Sequence, residues 1–148
     1  MFESLTDAQQ LPKPIRTYLD MHYNGWKLAP SKRDCNSDVN RGFVSGDFNG
    51  DLVKDYAVKV VRGNKGYILA FLRVRDGFKP FILHNYSAED ANYSSLGVLK
   101  KGSKFPYGGA NDVDGKTFHL RYDAPEDYHC ESDVGGVHYY RNGKFVGF

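Results

Sequence analysis

The chain has 148 residues and a net charge of +2, from 20 Lys and Arg against 18 Asp and Glu; 41% of it is hydrophobic and 15% aromatic. That length suits one domain able to bury a real core, and that composition excludes a disordered or low-complexity chain. The weak, dispersed charge offers no nucleic-acid or polybasic membrane surface, and no apolar run approaches the ~20 residues of a membrane span.

In chain order, Thr6-Asp7-Ala8-Gln9 reads as a capping box, and Pro12 and Pro14 suit the first turn of a helix. Ile15, Tyr18, Leu19 and His22 then recur at helical spacing, and Asn24-Gly25 ends the run. One amphipathic helix is expected within residues 1–25. Pro30 to Asp38 is a polar connection.

Beyond Arg41 the period becomes two, with Phe43, Tyr56, Val58 and Val60 on one face and Ala57, Lys59 and Val61 on the other. Tyr67 to Arg75 is rich in apolar residues on both faces, which predicts a central strand. Asp76-Gly77 turns it into Phe78 to His84, where Pro80 argues for an edge strand or a bulge. Leu96 to Lys100 and Thr117 to Tyr122 are further strands, on either side of the Gly-rich segment Gly102 to Gly115. Asn142-Gly143 closes a hairpin between Val137–Arg141 and Lys144–Val146 by the type I′ rule. The expected fold is α+β: an N-terminal helix packed on a meandering antiparallel sheet over residues 26–148, in a single domain.

One segment carries a recognisable chemistry. From Asp47, oxygen side chains fall at loop positions 1, 3, 5 and 9, through Asp47, Asn49, Asp51 and Asp55, with the Val53 carbonyl at position 7. Calcium takes six to eight hard oxygen ligands, and alternate residues of a tight loop can turn theirs inward. The competing reading is a solvated Asx-turn loop. This segment resembles the Asp-x-Asn-Gly-Asp-Gly-x-x-Asp loops of FG-GAP/VCBS-type repeats, in which a strand follows directly, as Tyr56-Ala57-Val58 does here. The resemblance implies calcium at Asp47, Asn49, Asp51, Val53 and Asp55. It departs at Leu52, where those loops carry Gly, and in copy number, since one copy does not make a propeller. The broader order of helix, loop and closing Tyr139-Tyr140 hairpin is similar to small bacterial secreted proteins of unassigned function. Asn111 to Gly115 is a second acidic cluster, read as a turn.

The two cysteines, Cys35 and Cys130, lie in polar loop sequence and are expected to pair as a disulfide; two separate thiols are the alternative. A Cys130 nucleophile beside His129, or an Asp pair such as Asp123 with Asp127, would be the route to a hydrolase, yet no nucleophile, HExxH or phosphate-loop motif accompanies them. His22, His84, His119, His129 and His138 show no metal-ligand spacing. Tyr86, Tyr93, Tyr107, Tyr128, Tyr139 and Tyr140 fall in or near loops and on the last hairpin, and Tyr107, Tyr139 and Tyr140 are the candidate contacts to a protein or carbohydrate partner. The expectation is a non-enzymatic domain, secreted or periplasmic, that holds a structural calcium and binds a partner, with a cytoplasmic location as the alternative. An inhibitor or immunity protein acting on a hydrolase or toxin is the alternative.

Overall fold

The period-two runs form strands, and the apolar stripe of the N-terminal segment lies against them. The computed structural model describes residues 7–30, 41–106, 117–130 and 134–147. Helix α1 spans Lys13–His22 and follows a separate short 3-10 turn at Ala8–Gln10. Thr6 lies outside the described residues, and Asp7 makes no side-chain cap; the helix starts instead at Pro12, whose carbonyl accepts from the Ile15 and Arg16 amides. His22, the last residue of the stripe, is exposed and stacks on Tyr18.

The described strands are β1 (Lys27–Leu28), β2 (Phe43–Gly46), β3 (Asp55–Arg62), β4 (Lys65–Val74), β5 (Gly77–Ser87), β6 (Ser94–Leu99), β7 (Lys104–Pro106), β8 (Thr117–His119), β9 (Ala124–His129), β10 (Val134–Arg141) and β11 (Lys144–Gly147), with a short helix α2 at Ala88–Asn92. All the pairings among them are antiparallel. They do not form one meander. The first five make a sheet in the order β1-β3-β4-β5, with β2 also on β3; a second has the order β11-β10-β9-β6, and β7 pairs with β8 alone. Strongly twisted strands bury both faces more readily as two packed sheets than as one wide sheet.

The alternation on β3 and β4 assigns each face. Val58, Val60, Leu69 and Phe71 meet Leu11, Ile15, Leu19 and Tyr23 of the N-terminal segment in one core. On the opposite face Ala57, Ile68 and Leu72 meet Leu96 of the second sheet, with Phe48 among them. A third cluster, Leu120, Ala124 and Tyr139, covers the outer face of the second sheet. The order of layers is therefore helix, sheet, sheet. β5 is an edge, as Pro80 predicts, and its register slips by one residue beside Ile68 and Leu69. The Asn142-Gly143 turn has φ of 53° and 82°, the left-handed pair that a type I′ turn requires.

Candidate functional site

Two places on this frame gather chemistry. The first is the loop between β2 and β3. Asp47 Oδ1 accepts from the Gly50 and Asp51 amides (2.8 and 3.2 Å) and its Oδ2 from Leu52 (2.9 Å). Asn49 Oδ1 accepts from Asp51 (3.3 Å) and Asp51 Oδ1 from Val53 (2.9 Å), so the side chains at positions 1, 3 and 5 all wind the backbone round themselves. Leu52 sits at φ 64°, the left-handed conformation for which the resembling loops use glycine, and it does so with its side chain 90% exposed. Gly50 is also left-handed, and a Cβ there would stand 2.7 Å from the Tyr122 ring.

The loop is tied down at both ends. Phe48 is fully buried between the sheets, and its amide donates to Asp55 Oδ2 (2.9 Å), while Asp55 Oδ1 accepts from the Arg73 amide on β4 (2.8 Å). Asp123, 76 residues away in sequence, accepts from the Asp47 amide (3.1 Å) and the Lys101 amide (2.9 Å). Asp47, Asp51 and Asp55 each bring one oxygen to within 4.8 Å of the others, the spacing of ligands around a single cation. Burial raises the Asp55 pKa to about 6; the amides of Arg73 and Phe48 pull it down, and Asp51 and Asp47 push it up further. Asn49 and Val53 belong to the same loop, Val53 with its side chain exposed.

The second place lies between the sheets, beyond the apolar end of their interface. By register, Asp127 faces Gly136 across the strand pair and Leu96 on the other side, and Ser94 faces His129. These positions share the inward face of the second sheet with His138. Asp127 Oδ1 and His138 Nε2 lie 2.6 Å apart, the carboxylate accepting from the ring N–H. Lys59, fully buried on β3, donates to the carbonyls of Ala91 (2.8 Å) and Ser94 (2.5 Å). Burial lowers its pKa to about 8, against the pull of Asp127 in the other direction. Tyr86 and Ser94 share a 2.8 Å hydroxyl contact, and burial holds the Tyr86 hydroxyl well above its usual pKa. Glu126 is also raised, by burial and then by Asp127. A cavity of about 500 Å³ opens here, with His84, Tyr86, Asp127, His129 and His138 in its wall.

The other expected site residues fall elsewhere. Tyr139 is 4% exposed and stacks on Tyr122, and Tyr140 is half-buried between Phe81 and Phe145, so both rings are engaged in packing. Tyr107 and Cys35 lie outside the described residues, and with Cys35 the expected bridge to Cys130. Asp123 and Asp127 do not meet as a pair: one clamps the calcium-type loop, the other holds His138. Sequence reasoning passes over this cavity because no two of its residues form a spaced motif. The available signal is Lys59, placed between Ala57 and Val61 on the inward face of β3, where a buried ammonium requires polar company.

No protein-family model, curated protein or solved structure matches the chain. Among the described residues, no helix is long and apolar enough to cross a membrane.

Proposed function

We propose that this chain is a small, non-catalytic binding domain, exported from the cytoplasm, whose Asp47–Asp55 loop is braced by a calcium ion. The observation that carries the reading is the approach of one oxygen each from Asp47, Asp51 and Asp55 to within 4.8 Å. Three carboxylates at that distance repel one another, and a divalent cation turns that repulsion into attraction. Asn49 and the Val53 carbonyl complete the oxygen set by position in the loop. The twelfth position is Val58, so the bidentate Glu of tight calcium loops has no counterpart here. Such a site suits the millimolar calcium of an extracellular setting. A calcium brace locks β2 to β3 and holds Phe48 in the intersheet core, which is a structural role and leaves partner binding to other surfaces.

A Cys35–Cys130 bridge belongs to the same exported setting and is worth up to about 4.7 kcal/mol in the chain-entropy model for a loop near 100 residues. Its check is a thiol count on the denatured, unreduced protein: no reactive thiol is expected, and two would remove the bridge.

The calcium reading is tested by thermal melting during a calcium titration of the wild type and of Asp51→Ala. A ligand that binds the folded state alone stabilises by about 2.7 kcal/mol at a hundredfold excess over Kd. A rise in Tm that Asp51→Ala abolishes is expected. A wild-type Tm indifferent to 10 mM calcium would reduce the loop to a turn held by its own hydrogen bonds.

A further inference from the structure

We infer that the cavity between the two sheets is a binding site for a neutral, polyhydroxylated ligand, a saccharide of one or two rings. The inference rests on the reading of the chain as a binding domain and is independent of the calcium. Its volume of about 500 Å³ lies within the range of roughly 300 to 1,000 Å³ typical of small-molecule sites. Gly136 stands opposite Asp127 in the register and lines the cavity without a side chain, while His138 of the same strand holds the carboxylate at 2.6 Å.

The chemistry of the wall selects the ligand by elimination. Asp90 and Asp127 both line it and repel anions, while the nearby ammonium of Lys59 is turned to the carbonyls of Ala91 and Ser94. A bound metal ion is disfavoured, because among the described residues the group with metal-ligand spacing is Asp47, Asp51 and Asp55 rather than this one. Polar atoms of Asp127, His138 and Tyr86 stand in the wall beside a larger share of apolar surface, a mixed lining matched by a ring that carries both hydroxyls and a C–H face. A hydroxyl both donates and accepts. It can donate to the carboxylates of Asp90 or Asp127 and accept from an imidazole N–H. His129 stands in the same wall with its Nε2 4.0 Å from Asp90 Oδ1. His84 and Tyr86 meet edge to face with centroids 4.7 Å apart at the same wall, and so offer aromatic surface to the C–H face of a sugar ring.

The test is a panel of glucose, galactose, mannose and N-acetylglucosamine with their β-linked and α-linked dimers. Binding is followed by calorimetry and by the imidazole NMR signals of the intact protein. At least one sugar is expected to bind in the millimolar range or tighter and to move the His129 and His138 signals. Asp90→Ala, at an exposed position, should weaken binding roughly fivefold with Tm unchanged, and Asp127→Asn should abolish it. Silence of the histidine signals across the panel, or binding that survives both substitutions, overturns the inference. A retained calcium response with no sugar bound would sink the saccharide site alone, and sugar binding with no calcium response would sink the brace alone. Release of new reducing ends from the dimers would overturn the non-catalytic reading.

Discussion

The space between the two sheets has two ends built on opposite principles. At one end Phe48, Ile68, Leu72 and Leu96 are buried with Phe81 and Phe145 packed around them, and apolar side chains dominate the packing. At the other, Lys59, Tyr86, Ser94, Asp127 and His138 are held by hydrogen bonds around an open volume. The apolar end stabilises because burial removes surface from water and needs no partner geometry. The polar end stabilises far less, since each charge first loses its hydration. Close packing in one place thus supports a cavity with exposed chemistry in the other.

The contrast predicts effects of graded size. Phe48→Ala should be the most damaging, at about 3–5 kcal/mol in denaturant unfolding, because it opens a void in the apolar end and loosens the calcium-type loop together. Asp127→Asn should cost about 2–4 kcal/mol, since it weakens the 2.6 Å contact with His138 and removes a negative charge that favours the buried Lys59 ammonium; a loss below about 0.5 kcal/mol would mean that the polar end is as tolerant as surface.

A smaller effect has a definite sign with pH. Lys59 titrates at about 8 when folded against 10.5 when unfolded, so from pH 8 upward the unfolded chain keeps a proton the folded one gives up. Stability must then rise with pH between about 8 and 10, by an amount on the order of 2–3 kcal/mol. Above that the buried tyrosines oppose it, because the raised Tyr86 stays protonated in the fold while the tyrosines of the unfolded chain ionise near their ordinary value of about 10. Melting at intervals across this window should show the rise in the wild type and its absence in Lys59→Met. The smallest effect is a gain: Leu52→Gly should stabilise the protein by about 1 kcal/mol, because glycine adopts the left-handed backbone without the Cβ penalty.

What could be read from the residues divides along the same line. Strands β3 and β4 follow from strict alternation, and the last hairpin follows from Asn142-Gly143, because both signals are local. The acidic loop is legible for the same reason: the spacing of its oxygen side chains is a property of nine consecutive residues. Leu52 looked like a mismatch with that pattern, yet the three amides gathered by Asp47 hold its backbone in the glycine conformation. Strand β9 gave no such signal. Ala124-Pro125-Glu126-Asp127-Tyr128-His129 carries a proline and four titratable side chains, and its inward positions face a polar cavity, so polarity does not alternate along it. The Asp123 clamp and the Asp127–His138 pair join residues of different elements, and only tertiary folding brings them together.

The long outer strand of the first sheet has a consequence for the protein in concentrated solution. β5 runs Gly77–Ser87 with one side unpaired among the described strands, and Ile82 on it is 61% exposed. A flat edge of that length would template the addition of another chain. Lys79 brings charge to it, Pro80 withholds an amide from it, and the register slip near Leu83 bends it. These three local irregularities act as gatekeepers against edge-to-edge aggregation, at a place where neither the acidic loop nor the cavity has any part.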